Sequence, residues 1–285
     1  MNFAERAEAF SCAGEQLLGI VACPESPMDC GVLIVVGGPQ YRVGSHRQFL
    51  LLARRLAAEG YPSMRFDYRG MGDSGGAMRD FEHVTDDIGA AIEAFQRACP
   101  AVKRVVLWGL CDAASAALLY VQAGDDSRVT GLVLLNPWVR SESSLAQTHI
   151  KHYYGQRLMQ REFWLKLLSG KMQVLKSVRG LLATAQQARG GRVPNSSESR
   201  SFQDRMAAGL RQFPGRVLLI LSGQDYTAKE FLEFSASNLA WSGLIGATKV
   251  SRADVEGADH TFSSQAQRLS VEDATLAWLA NFGVR

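Results

Sequence analysis

Residues 105–121 read Val-Val-Leu-Trp-Gly-Leu-Cys-Asp-Ala-Ala-Ser-Ala-Ala-Leu-Leu-Tyr-Val, and this stretch decides the fold. It begins as a short apolar strand, turns through Gly109 and Cys111, and continues as a helix of small residues. A residue placed between a strand and a helix in this way sits on a sharp turn and projects from the edge of a sheet. Small neighbours are needed because strand and helix nearly collide there. Gly109 meets that need, and Ala113 stands where a second glycine is usual.

The rest of the chain repeats this alternation of strand and helix. Alternating strands and helices predict a mostly parallel central sheet flanked by helices on both faces, which is an α/β fold. In such folds the functional residues gather at the carboxyl ends of the strands. The predicted strands are 31–36, 63–68, 105–108, 131–135, 217–221 and 248–255, and the predicted helices include 47–59, 84–98, 228–239 and 271–282.

The stretch 140–213 differs from its surroundings because it has no strand-like run and is strongly basic. It holds 13 Lys and Arg against four Asp and Glu, although the whole chain has a net charge of only +3. We predict a helical basic cap at 140–213, inserted into an α/β core formed by 1–139 and 214–285. Its basic, amphipathic part at 163–185 is expected to be a lid over the site, with contact to a membrane surface as the less favoured alternative. The charge favours a small-molecule acyl substrate that is anionic or carrier-linked.

Composition excludes several other classes. Five cysteines, without a close Cys-x-x-Cys pair, argue against a disulfide framework and a zinc site, so no metal and no cofactor is expected. No secretory signal is visible, and the longest apolar runs are far shorter than the roughly 20 residues of a membrane span. We therefore expect a reduced, cytoplasmic protein. No motif supports binding to nucleic acid, and the sequence does not indicate an oligomeric state.

Cys111 has candidate partners at the ends of two later strands. A cysteine nucleophile needs a base, and the base needs a group that orients it. His260 lies in the loop after the last predicted strand, and Asp225 lies in the loop after 217–221. Nucleophile, acid and histidine follow one another in the order expected for this kind of fold. Cys111, Asp225 and His260 are therefore predicted to form a Cys-His-Asp triad.

Other candidates rank lower. Asp259 is adjacent to His260 but is expected to point elsewhere, and the loop after 131–135 offers Asn136 rather than a carboxylate. His46 is kept as a second candidate base. The remaining histidines are expected on the surface or in the cap; they are His83, His149 and His152.

Together these motifs resemble the α/β-hydrolase superfamily, over 1–139 and 214–285. The segment 66–74, Phe-Asp-Tyr-Arg-Gly-Met-Gly-Asp-Ser, resembles the Asp-x-Arg-Gly-x-Gly-x-Ser turn common in it. More narrowly, residues 37–47 together with the cysteine turn are similar to exosortase A system-associated hydrolase 1, a bacterial family that accompanies exosortase and exopolysaccharide gene sets.

The superfamily resemblance implies an oxyanion hole made of two backbone N–H groups. One is expected from Asp112, which follows the nucleophile. The other should come from the loop after 31–36, where Gly37-Gly38-Pro39 departs from the usual His-Gly-x pattern. Because proline has no N–H, Gln40 is the predicted second donor, with Gly38 next.

The predicted function is an acyl hydrolase of the esterase or thioesterase type that works through a thioester acyl-enzyme. One alternative is an acyltransferase to an amine or hydroxyl acceptor with the same triad. Another is a non-catalytic binding or assembly protein on the same fold, and a third is a redox-sensing or structural thiol at Cys111. A triad in the expected order favours an enzyme, since a binding module needs no acid aimed at a histidine.

Overall fold

The centre of the molecule is an eight-stranded sheet, seen in a computed structural model that describes residues 2–38, 40–140 and 200–281. The strand order is β1-β2-β4-β3-β5-β6-β7-β8. Strands β3 to β8 pair in parallel, whereas β2 is antiparallel to both β1 and β4. The predicted mostly parallel sheet is confirmed. The strands are β1 (Phe3–Cys12), β2 (Glu15–Pro24), β3 (Cys30–Val35), β4 (Ser63–Asp67), β5 (Arg104–Leu110), β6 (Val129–Leu135), β7 (Arg216–Ser222) and β8 (Val250–Val255).

Helices cover both faces of this sheet and bury two apolar cores. On one face, α1 and α6 pack around Trp108 of β5. On the other face, α2, α3, α4 and α5 pack over β1 to β7. The flanking helices predicted from the sequence are thereby confirmed. The helices are α1 (Gln48–Ala58), α2 (Thr85–Ala98), α3 (Asp112–Ala123), α4 (Phe202–Gln212), α5 (Tyr226–Ser237) and α6 (Gln265–Ala280).

The amino-terminal hairpin β1–β2 was not predicted from the sequence. Its two-residue turn, Ala13-Gly14, has positive φ at both positions (49° and 85°), which suits the right-handed twist of a hairpin. β1 is an edge strand with charged residues on much of its length, so it lacks the apolar run that marks a buried strand. Its backbone pairing with β2, rather than its side-chain pattern, makes it a strand.

The range predicted as a cap is described only in part. Helix α4 lies inside that range and packs against α3, where a side chain on Gly209 would come within 2.2 Å of the Leu118 carbonyl oxygen. Residues 141–199 lie outside the described part of the chain, so the cap and its amphipathic segment stay predictions. Within the described ranges no helix is both long and apolar enough to cross a membrane.

Candidate active site

Cys111 sits on the sharp turn between β5 and α3. Its backbone has φ 62° and ψ −123°, a strained combination for a residue with a side chain, which costs roughly 1–3 kcal/mol. Hydrogen bonds hold the turn: the Cys111 N–H donates to the Leu135 carbonyl at 2.8 Å, and its own carbonyl accepts from the Ala114 N–H at 3.1 Å. Gly109 is required, because a Cβ there would lie 2.6 Å from the Ala113 backbone. The half-buried thiol is therefore held at the carboxyl end of β5.

His260 and Asp225 come together at the ends of β8 and β7. The His260 Nδ1 lies 2.8 Å from an Asp225 carboxylate oxygen, Oδ2. Asp225 is also the N-cap of α5, since its carboxylate accepts the N–H groups of Thr227 at 3.0 Å and Ala228 at 3.2 Å. These bonds fix the orientation of the Asp225 carboxylate, which can still accept a further hydrogen bond from the imidazole of His260. The contact with Nδ1 leaves Nε2 for the other side of the ring, and the Cys111 side chain is near enough to His260 to raise the pKa of the imidazole.

The charges of this pair reinforce one another. The hydrogen bond with Asp225, and then the neighbouring Cys111 side chain, raise the pKa of His260 to about 10, against the opposing effect of burial. Burial raises the pKa of Asp225, but the hydrogen bond from His260 and those from the α5 backbone outweigh it and leave the pKa below its usual value. At neutral pH the ring is an imidazolium and Asp225 is a carboxylate. A protonated imidazole beside a sulfur atom is the state that a thiolate requires.

Asn136 ties the acid loop to the histidine loop. It is fully buried, at the end of β6. Its side-chain Nδ2 donates to the Ser222 Oγ at 2.7 Å and to the His260 carbonyl at 3.2 Å, and its Oδ1 accepts the Ser222 N–H at 2.9 Å. The sequence showed only that no carboxylate follows β6. The signal that pointed to Asn136 was its place at a strand end, but the bridging role depends on contacts between distant loops.

The predicted oxyanion donors lie close together, and two of them are engaged in hydrogen bonds. The Gln40 N–H donates to the Gly38 carbonyl at 2.7 Å, within its own loop. The Gly38 N–H donates to the Asp112 side chain, Oδ2, at 2.8 Å. The N–H of Asp112 itself begins α3, where backbone donors have no partner within the helix. Of the predicted second donors, Gly38 is therefore the one whose N–H contacts Asp112.

The loop that carries Gly38 is braced by the segment 66–74. The buried carboxylate of Asp67 accepts the Arg42 N–H at 2.7 Å and pairs with the Arg42 guanidinium. Arg69 forms a buried ion pair with Asp87 of α2, at 2.7 Å between Nη2 and Oδ2. A Cβ on Gly72 would meet the Asp67 carboxylate at 2.2 Å. The motif therefore holds the loop after β3 against the sheet.

The lower-ranked candidates lie elsewhere. Asp259 accepts hydrogen bonds from the backbone N–H groups of Thr261 and Ser263, so its carboxylate orders the turn after His260. His46 is exposed, in a short 3-10 helix, and His83 pairs with Asp80 on the surface at 2.6 Å. His149 and His152 lie outside the described residues. No cluster of three His, Cys, Asp or Glu side chains that could hold a metal occurs in the part of the chain that the structure describes.

A parallel sheet with a residue on a strained strand-to-helix turn, and a histidine and an acid on later strand ends, defines the α/β hydrolases. The chain belongs to the family described as serine aminopeptidase, S33, which it matches over residues 31–205. The predicted superfamily is thereby confirmed, and the chain is a hydrolase by fold and family. The family description names a serine, whereas this chain carries Cys111 on the turn.

Solved structures agree on the fold. The esterase Pf2001 of Pyrococcus furiosus is 16% identical with a TM-score of 0.64, and the match covers 98% of this chain and 93% of that one. The α/β hydrolase GrgF from Penicillium sp. sh18 is also 16% identical with a TM-score of 0.64, covering 98% of this chain and 99% of that one. No curated protein matches the sequence.

Proposed function

We propose that the protein hydrolyses ester or thioester bonds by nucleophilic catalysis at Cys111, with His260 as acid and base and Asp225 as the group that orients the ring. The observation that carries the proposal is the chain of contacts from Asp225 through His260 to Cys111, with the cysteine on a strained turn. A binding or assembly protein would have no need of that strain. A redox switch that closes an internal disulfide needs a second thiol beside the first, and Cys23 and Cys99 contact each other, with their sulfur atoms 2.7 Å apart, rather than Cys111.

In the proposed first step, the Cys111 sulfur attacks the carbonyl carbon of the acyl donor. The carbonyl oxygen becomes an oxyanion that the N–H groups of Asp112 and Gly38 would stabilise. The imidazolium of His260 then gives its Nε2 proton to the departing alcohol or thiol. The carbon–leaving-group bond breaks and a thioester to Cys111 remains.

In the second step the neutral His260 takes a proton from water, and the water oxygen attacks the thioester carbon. The carbon–sulfur bond breaks, Cys111 leaves as a thiolate, and a carboxylic acid is released. Asp225 supports both steps because its carboxylate fixes the tautomer of the ring and stabilises its charged form. A thioester intermediate suits activated donors, such as thioesters, lactones and aryl esters.

The substrate is proposed to be a small acyl compound, anionic or carrier-linked, on the basis of the basic stretch 140–213. A cytoplasmic location is proposed because the five cysteines are free thiols. A connection with exosortase and exopolysaccharide systems is proposed from the resemblance of residues 37–47 together with the cysteine turn. An amine or hydroxyl group could take the place of water in the second step. That would make the protein an acyltransferase with the same triad.

The test is the hydrolysis of p-nitrophenyl acetate and phenyl thioacetate by the wild type, Cys111→Ala and a matched control, Cys23→Ala. We expect Cys111→Ala to lose roughly 10³-fold or more of the activity, because the covalent route is gone, and Cys23→Ala to retain it. A Cys111→Ala protein as active as the control would overturn the proposal. Added propylamine or propanol separates transfer from hydrolysis, because a transferase forms the amide or ester of the acceptor with saturation kinetics and in preference to the acid, whereas a hydrolase releases mainly the acid.

A further inference from the structure

The side chain of Asp112 lies at the point where the proposed oxyanion donors meet. Its Oδ2 accepts the Gly38 N–H at 2.8 Å. The backbone N–H groups of Asp112 and Ala113 are near enough to lower the pKa of this carboxyl group. The carboxylate therefore lies beside the Gly38 N–H and near the start of α3, directly after the candidate nucleophile.

This placement is tightly packed. The second carboxylate oxygen, Oδ1, is buried and makes no hydrogen bond of ordinary geometry within the described residues. It lies against Gly37, where a Cβ would come within 2.2 Å of it. Burial is the largest effect and leaves the pKa of Asp112 above its ordinary value, although the Gly38, Ala113 and Asp112 N–H groups and the charge of His260 lower it.

A carboxylate oxygen resembles the oxyanion of a tetrahedral intermediate, since both are negative oxygens that accept short bonds from N–H groups. A backbone N–H group makes a short, well-aligned hydrogen bond to one acceptor at a time. The Gly38 donor that bonds to Asp112 is therefore not available to a bound acyl group until the carboxylate moves. An acyl oxygen and the Asp112 side chain compete for the same place.

We propose that Asp112 controls which compounds react with Cys111, because its carboxylate occupies the oxyanion site of the free protein and an acyl group has to displace it. This inference rests on the proposed function, since it assumes that Cys111 attacks carbonyl carbons. Electrophiles whose reaction places no charge on an oxygen atom avoid this competition. Acyl donors have to overcome this competition. The Asp112 carboxylate therefore slows the acylation of Cys111 without slowing reactions of the thiolate that form no oxyanion.

The experiment compares two reagents on the wild type, Asp112→Asn and Asp112→Ala. p-Nitrophenyl acetate acylates the sulfur through an oxyanion, whereas iodoacetamide alkylates it by displacing iodide. The measured quantity is the ratio of the acylation rate to the alkylation rate at Cys111, followed by intact mass. Asp86→Ala serves as the matched control, because Asp86 is an exposed acidic residue in the first turn of α2. Thermal unfolding shows that each variant is folded.

We expect Asp112→Ala to raise this ratio by at least about tenfold, the range of one charge-assisted hydrogen bond. Asp112→Asn keeps an oxygen acceptor but loses the charge, so its ratio should lie between those of the wild type and Asp112→Ala. The ratio of Asp86→Ala should equal that of the wild type. An unchanged or lower ratio in Asp112→Ala would overturn the inference.

A second measurement separates this inference from the proposed function. In protein labelled with ¹⁵N-glycine, the Gly38 amide proton should move upfield in Asp112→Ala, because a hydrogen bond to a carboxylate is lost. If no protein, including Asp112→Ala, takes up an acyl group while Cys111 is still alkylated, the proposed function fails. In that case an upfield shift supports occupation of the site by Asp112, and an unchanged Gly38 signal excludes it.

Discussion

Asn136 is expected to be a main support of the site, and replacing it with alanine tests this directly. The substitution removes three side-chain hydrogen bonds from a fully buried position, two with Ser222 and one with the His260 carbonyl. Each buried group left unpaired costs roughly 1–3 kcal/mol, and water entering the space offsets part of this. Asn136 also has a positive φ of 42°, which asparagine tolerates better than alanine. We expect a loss of about 3–4 kcal/mol of unfolding free energy.

The assay is urea unfolding at equilibrium, combined with the rate of p-nitrophenyl acetate hydrolysis. Asn136→Gly keeps the backbone conformation accessible and separates the hydrogen bonds from the strain. Asn281→Ala is the control, because its side chain is exposed and, among the residues that the structure describes, bonds only to the Ala277 carbonyl. This substitution should cost less than about 0.5 kcal/mol. A loss below about 1 kcal/mol in both Asn136 variants would refute the reasoning, because three buried bonds cannot be so weak together.

Two further predictions concern the turn and the ion pair. Gly109→Ala should destabilise the protein by about 1–3 kcal/mol in calorimetry, because its Cβ would press on the Ala113 backbone, whereas Gly124→Ala, with open space around it, should change little. Equal losses of stability in Gly109→Ala and Gly124→Ala would contradict the close packing of the turn at Gly109. Asp225→Asn should lower the unfolding free energy most between pH 3.8 and 6.5, the unperturbed values of the two groups. Since the pKa of Asp225 is lowered, its contribution is lost as the pH falls; since the pKa of His260 is raised, its contribution is lost as the pH rises towards about 10. Urea unfolding of the wild type and Asp225→Asn across this pH range measures the effect. A difference in unfolding free energy that does not vary with pH would contradict the pairing of Asp225 with His260.

Most of the parallel part of the sheet was predictable because strands β3 to β7 are buried on both sides. The sequences of β3, β5 and β6 are mostly apolar and rich in Val, Leu and Ile, which is typical of strands in a parallel sheet. Helix ends were less certain. The last helix begins at Gln265 rather than at 271, because the side chain of Ser264 caps it in a reciprocal pair with Gln267. The hairpin β1–β2 was missed because it is held by backbone pairing between the two strands. The charged side chains of β1 interrupt the apolar pattern by which a strand is recognised in a sequence.

For the site, position at a strand end was a strong guide. It singled out Asp225 and His260, far apart in sequence, and the structure places them 2.8 Å apart. Position did not show what the Asn136 and Asp112 side chains contact. The contacts of Asn136 and Asp112 join residues that are far apart in the sequence, so no single segment of the chain could predict them. Whether Gly38 or Gln40 supplies the second donor could likewise not be decided from the order of residues.

The most direct test of the central claim is to locate the acyl group. The wild type and His260→Ala are mixed with p-nitrophenyl acetate, quenched in acid within the first turnover, digested and analysed by mass spectrometry. We predict acetyl on the peptide that contains Cys111, none on those with the other four cysteines, and much slower labelling in His260→Ala. An acetyl group on another residue, or turnover with Cys111 unlabelled, would contradict the account.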